Sequence, residues 1–287
     1  MSKARRKGSV KLLGVIRRPR PALLVSTALC ATVAVVVSLP VHAQPAPNAL
    51  PTGGTVFGGS AAISTSGNTT TINQASQRAA INWQTFNIGS QAKVQFDQPN
   101  AAAVALNRVT TPNPSQIAGR LDANGQVIIE NQSGVMFYKG SQVNTAGLMV
   151  SAASSSDAAT RAFLNGGGLV TDLPANPNAA VINQGQITVR QAGLAALVAP
   201  QVRNDGVIVA RLGHVVLASG TETTLDLYGD GLMSIDVSGL VKTLPNGATA
   251  LVTNTGVIIA DGGTVELTAR EADSIVQTLV DAGGKIR

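Results

Sequence analysis

The fifteen residues NDGVIVARLGHVVLA, Asn204 to Ala218, return fifty positions later as NTGVIIADGGTVELT, Asn254 to Thr268. Aligned without a gap, the two agree at Asn, Gly, Val, Ile, Ala, Gly, Val and Leu; a looser copy, NQGQITVRQAGLAALVA, opens 21 positions before the first, at Asn183. A period near 20 residues, built from an Asn-x-Gly turn and a short β-branched run, describes a coil that cannot bury its apolar side alone and must stack on a neighbour. The chain is therefore predicted to be an all-β solenoid. Side chains alternate faces along a strand, so Val215 and Leu217, with Val265 and Leu267 in equivalent places, are assigned inward, and His214, Val216, Thr264 and Glu266 outward. Asn183, Asn204 and Asn254 recur at the turn, where a short amide tolerates left-handed backbone and bonds to backbone nearby. Stacked coils would set these three in a ladder with a spacing of ~4.8 Å. Between the two clearest copies, LDLYGDGLMSIDVSG carries Asp230-Gly231, the signature of a hairpin leaving the stack.

Residues 1–43 stand apart. Lys3, Arg5, Arg6, Lys7, Lys11, Arg17, Arg18 and Arg20 precede an apolar run from Ala22 to Leu39, and Pro40 and Val41-His42-Ala43 follow it. This order reads as a signal peptide cleaved after Ala43. The alternative is a retained anchor, because the 18-residue run is long enough to span a bilayer. Removing the leader reverses the electrostatics of the chain. The formal net charge is +6, but all eight leader charges are basic, so 13 Lys and Arg remain against 15 Asp and Glu, a net charge of −2. A nucleic-acid partner needs a basic stripe on the folded domain, and none is left. No stable membrane span is expected after cleavage. Cys30, the one cysteine, also leaves with the leader, which suits an oxidising exterior.

Behind the leader, residues 44–52 are Pro-rich and predicted to be a flexible mature end. Residues 53–175 hold most of the scarce aromatic side chains, Phe57, Trp83, Phe86, Phe96, Phe137, Tyr138 and Phe163. A solenoid needs a cap, because its first coil otherwise leaves an open strand edge and an apolar cross-section in water, and aromatic bulk suits that task. Strands are predicted at AKVQF, AVALNRV, GQVIIEN, GVMFY and LMVSA, each bounded by Gly, Asn or Pro. A short helix from Ser155 to Leu164, capped by Asp157, ends at Gly166-Gly167-Gly168. Residues 176–287 are predicted to carry the readable rungs of the same domain.

Four motifs in the cap block carry a family resemblance: WQTFNIG at Trp83 to Gly89, FDQP at Phe96 to Pro99, LNRV at Leu106 to Val109 and VNTAGL at Val143 to Leu148. Together they resemble the N-terminal haemagglutination-activity domain of filamentous haemagglutinin-like exoproteins, the secreted partners of bacterial two-partner secretion. The resemblance implies a right-handed parallel β-helix, an export role, and recognition by the periplasmic POTRA domains of a cognate outer-membrane pore. It points to Trp83, Phe86, Asn87, Gly89, Asn107, Arg108, Asn131, Gly134, Asn144 and Gly147 as the residues serving that recognition, with Asn131 and Asn144 expected to hold turns. One departure is local: where such proteins show Asn-Pro-Asn-Gly, this chain has Asn131-Gln132-Ser133-Gly134. Another is length, since such proteins continue much further, and a short passenger, a truncated product and a fragment all stay open.

Catalytic chemistry finds little to work with. Nucleophilic catalysis needs a base beside its Ser or Thr, and His214, the one histidine after the leader, is assigned to the outward face. Zinc would want several His or Cys ligands. Asp226, Asp230 and Asp236 lack the repeating Gly-Gly-x-Gly-x-Asp pattern of a calcium roll and read as a solvated hairpin. No cofactor, no metal and no enzymatic activity are expected. The reading is an adhesin-type exoprotein, secreted or held at the cell surface after passage through the inner membrane and periplasm, with a host or cell-surface glycan or protein as receptor. The alternatives are a β-helical polysaccharide lyase or hydrolase, which would need several acids and bases on one sheet face, and a structural biofilm matrix protein.

Overall fold

The computed structural model describes residues 44–227, 233–271 and 278–287. The expected signal peptide, 1–43, and the Asp230-Gly231 turn lie outside the described residues. Three sheets wind round one apolar core. The first has eight strands: Thr55–Gly58, Arg78–Trp83, Val104–Val109, Gln126–Glu130, Gly147–Ser151, Leu194–Ala199, His214–Ser219 and Thr264–Ala269. The second has nine, from Ala61–Ser66 to Lys285–Ile286, and the third six, from Ser115–Ile117 to Thr278–Asp281. One coil gives one strand to each sheet, as in Ala180–Asn183, Gln186–Val189 and Leu194–Ala199, followed by Gln201–Asn204, Val207–Val209 and His214–Ser219. All the pairs between successive coils are parallel. This is the parallel β-helix that the repeat demanded.

The register follows the repeat residue for residue. Asn183 pairs with Asn204 and Asn204 with Asn254, while Val215 pairs with Val265 and Leu217 with Leu267. Val215 and Leu217 are wholly buried in the central core, and His214 is exposed. The spacing of 21 residues is thus one coil, and the spacing of 50 is one coil plus an excursion of the remaining 29. Parallel stacking is already under way where Arg78–Trp83 meets Val104–Val109, a hundred residues before Pro177, where the repeat becomes readable. The early coils differ in sequence because aromatic side chains fill them, and Trp83, Phe86, Phe96 and Phe137 all lie in the central core.

The open edge at the N-terminal end is closed by reversing the chain. Thr55–Gly58 runs antiparallel to Arg78–Trp83, and Ala61–Ser66 runs antiparallel to Thr69–Gln74 through a turn at Gly67, which has φ +54°. Residues 44–52, expected to be a flexible end, are instead tied to the first coil. The Ala49 carbonyl accepts from the Gly89 amide, the Pro47 carbonyl from the Gln91 amide, and Thr52 forms a bridge with Thr85. Proline made this segment look loose, yet its carbonyls remain acceptors and Leu50 packs on the core.

A second apolar cluster lies outside the helix, on the outer face of the eight-stranded sheet. Leu106, Ile128, Met149, Ala196 and Val216 point outward from the sheet and meet Phe163, Leu169, Leu225 and Val237. The latter four come from two excursions far apart in sequence. One contains the helix Asp157–Leu164 and the strand Leu169–Thr171; the other is the hairpin Thr223–Leu227 with Met233–Val237. Leu169–Thr171 pairs antiparallel with Thr223–Leu227, and the hydroxyls of Thr171 and Thr223 are 3.0 Å apart. The hairpin is extra-helical, as the sequence indicated, but it lies down on the sheet rather than standing clear of it. Val216, assigned to the outward face, is therefore only 6 % exposed.

Candidate functional site

The motif residues fall in three places. Within the central core, Trp83 stands edge-on to Phe86 with ring centroids 5.6 Å apart, and its Nε1 donates to Asn107 Oδ1 at 3.0 Å. Asn107 occupies an inward column otherwise filled by Ile81, Ile129, Val150 and Leu197. A buried indole N–H needs an acceptor, and an amide on the adjacent strand supplies it. The amide is satisfied in turn, since Asn107 Nδ2 donates to the carbonyls of Ala105 and Ile128. At 1 % and 0 % exposure, Trp83 and Phe86 offer no platform on which a sugar could stack.

A second group shapes the backbone. Asn87 Oδ1 accepts from the Gln116 amide, tying the Trp83–Gly89 segment to the next coil. A Cβ at Gly89 would sit 2.2 Å from the carbonyl oxygens of Ala46 and Pro47, so only glycine lets the N-terminal segment dock there. Asn131, fully buried, holds its own turn by accepting from the Ser133 amide, and its Nδ2 donates to Asn113 O and Ser115 Oγ. Gly134 closes that turn at φ +94°. The two residues that depart from the family pattern have work here: Gln132 Nε2 donates to Pro174 O, and Ser133 Oγ accepts from Asn176 Nδ2. Gly147 opens the strand Gly147–Ser151 opposite Gln126.

The third place is the outer surface. Asn144 lies inside the strand Gln142–Thr145 rather than in the turn expected of it, and its Nδ2 donates to Asp122 Oδ1 at 3.0 Å. Asp122 also meets Lys93 Nζ at 3.0 Å and Arg120 Nε at 2.6 Å. Burial raises its carboxyl, but the hydrogen bonds from Asn144, Arg120 and Lys93 outweigh that and hold it below the ordinary value. On the eight-stranded sheet, Arg108 points out into the second core. Its Nη2 meets Asp157 Oδ1 at 2.9 Å, and its guanidinium lies 5.2 Å from the centre of the Phe57 ring.

Beside Arg108 is a group that the sequence reading missed. Glu130 is fully buried and accepts from the Ser155 amide at 2.8 Å and from the hydroxyls of Ser154 and Ser155. Burial pushes its carboxyl up to about 6, against those hydrogen bonds and nearby Arg108, which pull it down. Ser156 rather than Asp157 caps the helix, accepting from the Ala159 amide through Oγ, while its own amide and hydroxyl donate to Asp172. An acid closing the apolar run VIIE was the available signal, because such a group buried on a sheet must find donors. Among the described residues no three His, Cys, Asp or Glu side chains gather where they could hold a metal ion.

Among the described residues, the motif set is built into coils and turns. The family described as the TPS secretion domain matches residues 48–286, nearly all of the described chain. The chain belongs to this family. The chain also resembles a solved structure, the HMW1 secretion domain from Haemophilus influenzae, with a TM-score of 0.64 and 30 % identity over 76 % of this chain and 56 % of that one. A curated relative, the heme/hemopexin-binding protein of Haemophilus influenzae strain Rd, is 34 % identical over 226 residues, which cover 77 % of this chain and 24 % of the relative. A second protein of that name is 46 % identical over 95 residues. The chain thus spans about a quarter of the first relative's length. Membership makes this a secretion domain of the two-partner secretion type and implies a cognate outer-membrane transporter. No helix among the described residues is long and apolar enough to cross a membrane.

Proposed function

We propose that this chain is the secretion domain of an adhesin-type exoprotein, read by the periplasmic POTRA domains of its pore before it folds. The observation that carries this reading is burial. Trp83, Phe86, Asn107 and Asn131 are between 0 and 1 % exposed once the coils have stacked, so a partner that reads their motifs meets the chain while it is still extended. An extended segment can add as a strand to the edge of a transporter domain, with backbone hydrogen bonds supplying affinity and alternate side chains supplying selectivity. On emergence, the reversed first strands offer a finished edge, and each coil that lands buries its Val, Ile and Leu on the one before. Folding outside then biases transport forward without nucleotide hydrolysis.

The same reading makes the domain non-catalytic, with a host or cell-surface glycan or protein as the receptor of the whole exoprotein. It is supported by the state of Asp122, the carboxylate on the outer face of the nine-stranded sheet, which Lys93, Arg120 and Asn144 already engage. Coexpression with and without the cognate pore tests the export reading, with the chain measured in the medium. Release is expected only with the pore, and equal release in both would sink the proposal.

A further inference from the structure

The asparagine ladder has a direction. Asn183 Oδ1 accepts from the Gly185 amide of its own turn, which fixes the side-chain amide and sends Nδ2 forward to Asn204 Oδ1 at 2.8 Å. With its oxygen thus engaged, Asn204 sends its own Nδ2 forward to Asn254 Oδ1 at 2.7 Å. All three side chains are fully buried. The column begins on Phe137, which pairs with Asn183 and has no polar group to offer. It stops at Asn254. Thr253 pairs with Asp281, so the position over Asn254 belongs to Ala282, and Gly284 stacks over Gly256 as Gly256 does over Gly206. Asn254 Nδ2 is buried and finds no acceptor among the described residues.

We infer that the column is a templating device for coil addition: the coils of Asn183, Asn204 and Asn254 each present one buried N–H toward the place where the next coil lands, and Ala282 ends the relay. A buried donor without an acceptor carries its full desolvation penalty, so a coil that brings an oxygen to it gains more than its apolar contacts alone provide. The gain lies on the forward side, because the oxygen of Asn183 is taken by the Gly185 amide and those of Asn204 and Asn254 by the asparagine behind. Coils thereby favour adding in chain order, from the capped end outward. This inference rests on the stacking alone and holds whether or not the domain is read by a transporter.

The test is native-state hydrogen exchange on the whole chain, following the last-coil amides of Gly284, Lys285 and Arg287, which donate to the carbonyls of Asn254, Gly256 and Ile258. Ala282→Asn supplies the missing oxygen and is expected to slow their exchange about tenfold, equivalent to about 1.4 kcal/mol. Ala282→Val adds comparable bulk without an acceptor and is expected to leave them unchanged. When Ala282→Asn is combined with Asn254→Ala, the introduced amide oxygen has no donor to receive, so the protection should vanish. Equal behaviour of Ala282→Asn and Ala282→Val, or a protection that survives Asn254→Ala, would overturn the inference.

Discussion

Asn107 shows how one polar residue becomes necessary inside an apolar column. Its presence among Ile81, Ile129 and Val150 follows from Trp83, whose N–H would otherwise be buried without an acceptor. Asn107→Ala removes that acceptor, strips two carbonyls of a donor and leaves a void. A loss of about 2–3 kcal/mol is expected by urea denaturation. In Trp83→Phe the indole N–H is already gone, and the added cost of Asn107→Ala should shrink by about 1 kcal/mol. Equal costs in both backgrounds would show that the hydrogen bond contributes nothing. The motif could be read from the sequence, but this pairing could not, because 24 positions separate partners that only stacking brings together.

At the scale of elements, Glu130 fastens an excursion to the helix. Its carboxylate holds Ser154 and Ser155, the residues leading into the helix Asp157–Leu164, while Arg108 holds Asp157. The folded carboxyl titrates at about 6, above its ordinary 4.5, so the unfolded chain gives up this proton first. The contribution is therefore most favourable below pH 4.5 and falls by about 2 kcal/mol as pH rises through 6. Asp122 and Asp172 act in the opposite sense and lower down. Both lie below the ordinary 3.8, and their stabilisation is lost only as the solution becomes more acid than that. Melting between pH 4.5 and 7 isolates Glu130: the wild-type midpoint should fall across this interval, and Glu130→Gln should flatten the fall. A slope unchanged in Glu130→Gln would assign it elsewhere. The helix itself was legible from its composition and its Gly-rich end. That it packs on the outside of a sheet was not, because Val216 and its neighbours look solvent-facing until a distant hairpin covers them.

The described coils stack one on the next, and the reversed first strands close the N-terminal edge. Beyond the reversed first strands each coil is stabilised by its neighbours, and the last described strands, Thr278–Asp281 and Lys285–Ile286, are largely exposed. Unfolding of this chain by denaturant should consequently start at these exposed strands. Trp83, the single tryptophan, sits at the capped end, so its fluorescence should change at higher urea than the loss of strand signal by circular dichroism. Coincident transitions would mean that the stack melts as one unit.

The repeat by itself determined the coil: its length, the inward Val and Leu, the asparagine column and the stack that these require. Stacking is a nearest-neighbour interaction between equivalent positions, so it leaves a period in the chain. The four motifs likewise carried the family without the fold. The tertiary structure decided what depends on partners with no fixed spacing. It docked residues 44–52 on Gly89, gave Glu130 its serines, joined Leu169–Thr171 to Thr223–Leu227 and turned the outer face of the sheet into a second core. Such contacts arise once, between unlike segments, and a single occurrence leaves no period to read.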